Sequence, residues 1–150
     1  MGQAKLKVVA PAAAEPSPLE RHVGFLLRVA QQRNTAIFTA RMIEGLTQTQ
    51  FAALARLYEV GPCSQNRLGR LISLDAATIK GVVDRLEARG FVTALADPKD
   101  RRRRALALTG RGRAVIEAAM QVAAQISAET LAPLTVEERR LAMRLLKKLG

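Results

Sequence analysis

The chain has 150 residues, a hydrophobic content of 49%, an aromatic content of 3% and a net charge of +11. This composition predicts one globular domain with an aliphatic helical core, and the shortage of aromatic side chains disfavours an RNA-binding module that stacks bases on rings. Because no apolar run reaches the ~18 residues that span a bilayer, and because Cys63 is the single cysteine and excludes an internal disulfide, we expect a cytoplasmic protein.

The sequence lacks the residue patterns of common enzyme sites. It contains one histidine, His22, and no metal-ligand spacing, Gly-rich phosphate loop or paired nucleophile and base. We therefore expect a binding protein that is not an enzyme and carries no metal or cofactor.

Residues 1–17 have a weakly cationic start and a short apolar patch that Pro11, Glu15 and Pro16 interrupt. The patch is too short and too broken for a signal peptide, so this segment predicts a disordered tail. Residues 18–150 predict one folded domain without an internal repeat or a long linker.

A first helix is predicted from Ser17 to about Glu44. Ser17 is a favourable N-cap, Pro18 suits the first helical position, and Glu20 can complete a capping box. Gly45 ends the helix. The helix carries a stripe of apolar residues on one face: Leu19, Val23, Leu26, Leu27, Ala30 and Ile37.

Capping signals also predict the next two helices. A capping box runs from Thr47 to Gln50, and Gly61 with Pro62 ends the second helix. The inner face of that helix is predicted at Phe51, Leu54, Leu57 and Tyr58. Ser64 then begins a short third helix with an inner face at Leu68, Leu71 and Ile72.

A fourth helix follows Asp75, whose carboxylate can accept from the N–H groups of the first turn, and ends at Gly90. Its buried face is predicted at Ile79, Val82, Val83 and Leu86. The outer face then contains mostly small residues and one cation: Ala76, Ala77, Lys80, Gly81 and Asp84. Because a helix that reads DNA must enter a major groove about 12 Å wide, this lean face behind a short helix predicts a helix-turn-helix.

Two short apolar runs, Phe91–Ala96 and Arg104–Leu108, flank a charged stretch and predict a β-hairpin, or wing. Asp97 begins its turn, and Asp97 and Asp100 are assigned to holding the wing in shape. The tip is strongly basic, with Lys99, Arg101, Arg102, Arg103 and Arg104. Residues 61–113 carry +7 of the net charge, which favours nucleic-acid contact over the alternative of a solvated loop.

Two C-terminal helices complete the chain. Thr109 caps a long Ala-rich helix that ends near Pro133, and Thr135 opens a capping box for the last helix. The apolar face of the long helix is predicted at Val115, Ala118, Ala119, Val122 and Ile126. Segments 18–45 and 110–150 carry more apolar surface than a winged helix can cover, which predicts a symmetric homodimer. Its two recognition helices would read double-stranded DNA with an inverted-repeat operator, at half-sites roughly 34–36 Å apart.

The central stretch resembles the winged helix of the MarR family of bacterial transcription regulators. The matching residues are Thr47–Leu54, Gly69–Leu74, Thr78, Asp84–Glu87, Arg89-Gly90, Asp97-Pro98, Asp100–Arg102 and Leu108-Thr109. The resemblance runs from about Leu19 to the end of the chain. It implies a mainly α fold with a small β-hairpin, in which residues 47–109 form the winged helix-turn-helix DNA-binding lobe and the flanking segments form dimerisation helices. It also implies a repressor that a small ligand releases from DNA.

DNA-binding residues are expected on both helices of the helix-turn-helix and on the wing: Ser64, Gln65, Asn66, Ala76, Ala77, Thr78, Lys80, Lys99, Arg101, Arg102 and Arg103. The family often has an arginine early in the recognition helix, where this chain has two alanines, so base readout is assigned to Thr78, Lys80 and the wing. We expect Asp100 to pair with a nearby arginine, with Arg102 as the first candidate, which leaves Arg101 and Arg103 to meet phosphates or the minor groove.

The segment Arg21–Arg41 and the helices after it are similar to the branch of the family that controls aromatic-acid catabolism. This resemblance implies an effector that is an aromatic acid or its CoA thioester. Its expected contacts are His22, Phe25, Arg28, Gln32, Arg33, Phe38, Arg41 and Tyr58. Arginines here can clamp a carboxylate or a phosphate; the alternative is that they are ordinary surface cations.

Two other functions stay open. Cys63 lies just before a helix N-terminus, which can lower the pKa of a thiol, so a cysteine-based redox-sensing repressor is one alternative to a cysteine that merely fills space. The charge of +11 also permits a non-specific architectural nucleic-acid-binding protein, which would bind random duplex as well as its own promoter.

Overall fold

The computed structural model describes residues 17–97 and 99–150, apart from the side chain of Arg101. Most of the predicted disordered tail, and Pro98 of the predicted turn, lie outside the described residues. The described part contains six α-helices and one antiparallel hairpin: α1 Val23–Arg41, α2 Gln48–Val60, α3 Gln65–Leu71, α4 Ala76–Ala88, β1 Val92–Asp97, β2 Asp100–Leu108, α5 Gly110–Thr130 and α6 Val136–Leu149. The predicted fold class, mainly α with a small β-hairpin, is confirmed.

Contacts divide the chain into two compact units, residues 1–32 and 33–150. The described part of the first unit is a turn followed by the first ten residues of α1. Its large aliphatic side chains are exposed: Leu19, Val23, Leu26, Leu27 and Val29. This part of α1 therefore presents an uncovered apolar surface.

The first helix begins later than predicted. Both bonds of the expected capping box form, from the Ser17 N–H to Glu20 Oε2 at 2.9 Å and from the Glu20 N–H to Ser17 Oγ at 3.2 Å, but they close a turn. The helix starts at Val23 because His22 supplies the cap that is used. Its Nδ1 accepts the N–H of Phe25 at 3.3 Å.

The first helix also ends earlier than predicted, at Arg41. A short 3₁₀ turn, Ile43–Gly45, follows it. Within that turn Glu44 and Gly45 have φ angles of 55° and 57°, in the left-handed region that an α-helix cannot continue through. Met42 already has an extended backbone, with φ −65° and ψ 135°, so the helix breaks three residues before the glycine that was predicted to end it.

The predicted side-chain caps of the later helices are confirmed. Thr47, Ser64, Asp75, Thr109 and Thr135 each accept a hydrogen bond from the backbone N–H three residues later. Thr47 and Thr135 form complete capping boxes. These side chains give partners to N–H groups that a helix leaves unpaired at its start, and they fix where each helix begins.

The core of the second unit joins α2, α4, the hairpin and α5. Its largest fully buried side chains are Leu54, Leu68, Ile79, Val82, Leu86, Phe91 and Ile116. The predicted inner face of the fourth helix is confirmed, because its four residues are all buried. Along α5 the sequence pattern missed Ile116, which is fully buried, and wrongly placed Ala118 inside, where the structure exposes it.

The hairpin pairs from Val92 with Leu108 to Ala96 with Arg104, and a bulge follows between Ala96 and Asp97. Its base is tied to the segment before α3. The backbone N–H of Cys63 donates to Leu106 O at 3.1 Å, and the N–H of Leu106 donates back at 2.8 Å. The wing is thus anchored at its base while its charged tip is exposed.

The start of α5 packs closely against the loop after α4. The Thr109 N–H donates to Phe91 O at 3.1 Å, and the Thr109 hydroxyl donates to Gly90 O at 2.6 Å. A Cβ built on Gly112 would lie 1.9 Å from the Phe91 carbonyl oxygen. Only glycine permits this approach, which sets the position of α5 against the first strand of the wing.

The last helix, α6, has no buried residue among those the structure describes. Its exposed apolar side chains are Val136, Leu141, Met143, Leu145, Leu146 and Leu149. Like the first half of α1, α6 therefore carries apolar surface that the described chain leaves uncovered.

Candidate nucleic-acid interface

The outer face of α4 matches the requirements of a DNA-reading helix. Ala76, Ala77, Thr78 and Lys80 are exposed, whereas the opposite face is buried in the core. The first residues of α3 lie in the same helix-turn-helix: Ser64 and Asn66 are exposed and Gln65 is partly exposed. Small side chains at the start of α4 leave its backbone accessible for close approach to bases.

The packing of α3 on α4 is also close. A Cβ on Gly69 would lie 3.1 Å from Leu74 O and 3.2 Å from Ile79 Cγ2. Beside it is a cleft of about 280 Å³, lined by Asn66, Gly69, Arg70, Leu74, Ala76 and Ile79. Gly69 therefore permits the short distance between α3 and α4.

The Thr78 side chain is committed to the start of α4. The Thr78 N–H donates to Asp75 Oδ1 at 2.7 Å. This backbone bond, with a second bond from the Thr78 hydroxyl, holds the pKa of the Asp75 carboxyl below its ordinary value. Thr78 thus stabilises the N-terminus of α4, and while its hydroxyl donates to Asp75 the oxygen can still accept a hydrogen bond.

The Lys80 side chain is also paired, one turn from its partner. Lys80 Nζ lies 2.7 Å from Asp84 Oδ2 on the same exposed face. This hydrogen bond and the charge of Asp84 raise the pKa of Lys80 above its ordinary value. The sequence pattern placed both residues on the outer face but did not pair them, although the i, i+4 spacing is the signal for such a pair.

The Lys80–Asp84 pair leads to a test by a double-mutant cycle. We expect Lys80→Ala to weaken binding to every duplex about fivefold, because it leaves the Asp84 carboxylate facing phosphates. The Lys80→Ala/Asp84→Ala double variant, which has the charge of the parent, should recover that loss. Fluorescence anisotropy with the gene's own upstream duplex and a scrambled duplex measures both. A double variant that stays weak and loses preference for one base would instead make Lys80 a direct base reader.

In the wing, two acidic residues organise the tip. The Lys99 N–H donates to Asp97 Oδ1 at 2.8 Å, and the Arg102 N–H donates to Asp100 Oδ1 at 3.0 Å. Asp100 does pair with a nearby arginine, but the candidate Arg102 is wrong, because Asp100 Oδ2 lies 3.6 Å from Nε of Arg103. Regular alternation would place Asp100 on the face of Arg102, but the pairing passes from Ala96–Arg104 directly to Asp97–Asp100, so three residues of β2 lie between these pairs and the alternation is interrupted there.

Among the described residues, the cations of the wing that are exposed without an acidic partner in an ion pair therefore differ from the predicted ones. Lys99, Arg102 and Arg104 are exposed at the tip, and Arg103 is exposed but paired. The side chain of Arg101 lies outside the described residues. The expected DNA-binding set left out Arg104 of the tip and three further exposed cations of the helix-turn-helix: Arg67, Arg70 and Arg85. The only sequence signal for them was the concentration of positive charge between residues 61 and 113.

The expected effector residues fall into the two units, and those of the first unit are close to the start of α1. His22 caps the helix through Nδ1. The guanidinium of Arg28 lies over the ring of Phe25, 5.3 Å from its centroid, and Gln32 is exposed. His22 therefore has a local role that does not require a ligand.

In the second unit the expected effector residues contact other parts of the protein. Arg33 donates from Nε to Thr130 O at 3.2 Å and from Nη2 to Glu129 O at 2.9 Å. Arg41 forms an ion pair with the Glu129 side chain. The two arginines thus bind the C-terminal end of α5, where cations complement the helix dipole, and they do not form an unoccupied clamp for an anion.

The two aromatic members of the set in the second unit, Phe38 and Tyr58, contact different residues. The ring of Phe38 packs edge-on against Phe51 at 6.1 Å, whereas Arg113 stacks on Tyr58 at 5.0 Å. A cleft of about 410 Å³ lies where α1 ends and α2 begins, lined by Thr35, Phe38, Thr39, Met42, Gly45, Leu46, Thr47, Gln48 and Thr49. Of the expected effector residues, Phe38 is the one that lines this cleft.

Cys63 has the properties of a structural residue. It is 5% exposed, and burial raises the pKa of its thiol despite the opposing charge of Arg67. Since the thiolate is the form that reacts with oxidants, this environment disfavours rapid oxidation.

Within residues 17–97 and 99–150, no three His, Cys, Asp or Glu side chains are grouped as a metal site would require. In that same part of the chain, no helix is both long and apolar enough to cross a membrane.

Comparison with known proteins identifies the family. The MarR family model matches residues 46–103, which include α2, the helix-turn-helix and the basic tip of the wing. The transcriptional repressor NicR of Pseudomonas putida is 40% identical over 141 residues, which cover 93% of this chain and 89% of NicR. The chain belongs to the MarR family. It is therefore a DNA-binding transcription regulator with a winged helix-turn-helix.

Solved MarR-family structures extend this comparison over almost the whole chain. A probable transcriptional regulator from Pseudomonas aeruginosa has a TM-score of 0.85 and 49% identity, covering 88% of this chain and 99% of its own. BpsR of Bordetella bronchiseptica, whose DNA binding is regulated by 6-hydroxynicotinic acid, has a TM-score of 0.83 and 38% identity, covering 90% of this chain and 97% of its own.

Proposed function

We propose that this MarR-family protein is a homodimeric repressor that binds an inverted-repeat operator and is released by an aromatic acid or its CoA thioester. Its regulated genes would serve the catabolism of such aromatic compounds, and as a chromosomal DNA-binding protein it would act in the cytoplasm.

The observation that carries the DNA-binding part of the proposal is that one unit combines a helix face of small side chains, on α4, with a basic wing. The start of α4 exposes Ala76, Ala77 and Thr78, and the adjoining hairpin exposes Lys99, Arg102 and Arg104. The helix face suits contact with base edges, and the cations suit phosphates or a narrow minor groove. The proposed contacts from α3 are Ser64, Gln65 and Asn66.

The dimer is supported by apolar surface on two helices. In the first unit, Val23, Leu26 and Leu27 of α1 are 64%, 49% and 44% exposed. In the second unit, Leu145 and Leu149 of α6 are 47% and 73% exposed. Exposed apolar surface of this extent marks a protein interface, and a symmetric pair would place two reading helices about one DNA turn apart.

The aromatic effector is supported by the similarity to BpsR and NicR. Since 6-hydroxynicotinic acid regulates DNA binding by BpsR, a free hydroxylated ring acid is the first compound to test. The case for a CoA thioester depended on several arginines binding its phosphates. Because Arg33 and Arg41 bind the end of α5, that case is weaker, and Arg28 is the cation of the set to examine first.

An effector titration tests this proposal. We expect 6-hydroxynicotinate to release the protein from its own upstream duplex at a concentration at least ~10-fold lower than nicotinate, because a site that bonds a ring hydroxyl penalises its loss. Benzoyl-CoA and p-coumaroyl-CoA are titrated in parallel. If a thioester releases the protein from DNA at a lower concentration than any free acid does, the effector is a CoA thioester. No release by any of them would remove the aromatic effector and leave the DNA-binding function intact.

Two alternatives are separated by simple measurements. A redox-sensing repressor would lose DNA on peroxide treatment in a manner that Cys63→Ser abolishes, and the buried thiol argues against it. A non-specific architectural protein would bind scrambled duplex as well as the upstream duplex, whereas a regulator should prefer its site by roughly 10³-fold or more.

A further inference from the structure

One guanidinium joins three parts of the second unit that are distant in sequence. Arg89, the C-cap of α4, donates from Nη2 to the backbone carbonyl of Glu44 and lies 3.5 Å from the Glu44 carboxylate. The same guanidinium stacks over the ring of Phe91, 4.6 Å from its centroid. Arg111 at the start of α5 stacks over Phe91 at 5.0 Å and donates to Arg89 O at 3.3 Å. We call these four residues the Arg89 cluster.

The cluster holds the connector between α1 and α2, residues 42–47, in a strained conformation. Glu44 has a φ of 55°, a left-handed conformation that is unfavourable for a residue with a Cβ and persists only where surrounding contacts enforce it. Arg89 bonds both the carbonyl and the side chain of Glu44, and on either side of Glu44 the side chains of Met42 and Leu46 are buried in the core. A bond from the end of α4 therefore restrains the strained residue of a connector that is 45 residues earlier in the chain.

The other side of the cluster is rigid. Phe91 is fully buried, its N–H donates to Leu86 O at 3.0 Å, and its carbonyl accepts from Thr109 at 3.1 Å. Arg89 thus lies between a fixed ring and a strained turn. A movement of the connector must either carry the end of α4 with it or break the Arg89–Glu44 contact.

We propose that Arg89 is a positioning residue for DNA reading: it fixes the C-terminal end of the recognition helix to the α1–α2 connector, with Glu44 as the hinge of that connector. The proposal rests on the DNA-reading function proposed above, and it adds the route by which a change at the end of α1 reaches α4. Arg89 acts through the position of the helix and needs no contact with DNA.

The test compares Arg89→Ala with a matched control, Arg56→Ala. The control also removes a guanidinium and an ion pair, because Arg56 Nη1 lies 2.6 Å from Glu59 Oε2 on α2. We expect Arg89→Ala to weaken binding to the upstream duplex about 10-fold while its affinity for scrambled DNA matches that of Arg56→Ala. Glu44→Gln, which keeps the carbonyl bond, should lose about threefold. The Glu44→Gln/Arg89→Ala double variant should bind no more weakly than Arg89→Ala alone.

Hydrogen exchange gives a readout that does not depend on DNA. In Arg89→Ala, amides of residues 42–47 should exchange at least ~10-fold faster than in Arg56→Ala, because the strained turn has lost its restraint. If Arg89→Ala does not fold, DNA binding and hydrogen exchange of residues 42–47 are measured on Glu44→Gln instead. Unchanged exchange, additive losses in the double variant, or equal weakening on both duplexes would overturn the proposal. If instead the parent protein binds both duplexes equally, the operator function fails while the exchange result still decides the role of Arg89.

Discussion

Replacing Gly112 by alanine is expected to destabilise the folded protein by roughly 3 kcal/mol, at the upper end of the range for overpacked cores. The added Cβ would lie 1.9 Å from the Phe91 carbonyl oxygen and 2.8 Å from its carbonyl carbon. These are backbone atoms, so no side-chain rotation can relieve the contact. Either α5 moves away from the loop or the loop loses its bond from Thr109, which donates to that same oxygen at 3.1 Å.

Gly110→Ala is the matched control, because it makes the same chemical change one half-turn earlier on the same helix. A Cβ there meets nothing within 4 Å, so the free energy of unfolding should stay the same or rise slightly with the better helix former. Urea denaturation at one protomer concentration measures both variants, since the stability of a dimer depends on concentration. Equal midpoints for the two variants would show that α5 and the loop can separate at little cost, contrary to the close approach of Gly112 to Phe91.

The elements that sequence alone predicted correctly are those whose signals are local. Asp75, the buried series from Ile79 and the glycine at position 90 lie within one helix length, and each signal has a single physical meaning. The same holds for the two strands of the wing, where two apolar runs lie close together on either side of one charged stretch. Because these signals agree with one another, the amino-acid sequence is sufficient to recognise the reading unit.

The errors arise where two local signals compete or where a contact joins distant residues. Ser17 and His22 can both cap a helix, and the sequence does not rank a turn closed by the first against a helix started by the second. The partner of Asp100 depends on strand alternation next to the bulge at Asp97, which a sequence pattern does not specify. Arg89 and Glu44 have no sequence signal that joins them, because they meet only after α2, α3 and α4 have packed.

Loss of two exposed cations at the tip of the wing is expected to weaken DNA binding about 100-fold. Arg102 and Arg104 are both exposed and lie two residues apart in β2. A charge-assisted contact to a phosphate contributes about 10-fold in affinity, or 1.4 kcal/mol. In Arg102→Ala/Arg104→Ala the loss should be equal for upstream and scrambled duplexes, because phosphate contacts position the protein without reading sequence.

The salt dependence of binding separates lost phosphate contacts from a misfolded wing. Each phosphate contact removed should reduce the slope of log K against log salt by about 0.9, so the double variant should have a slope smaller by about 1.8. Arg140→Ala/Arg144→Ala on α6 removes the same charge from two other exposed positions and should leave both affinity and slope close to those of the parent. If the two double variants weaken binding alike, the protein is attracted to DNA by its net charge alone. A loss confined to the wing, with the reduced slope, would assign those two arginines to the phosphate backbone and leave sequence preference to the face of α4.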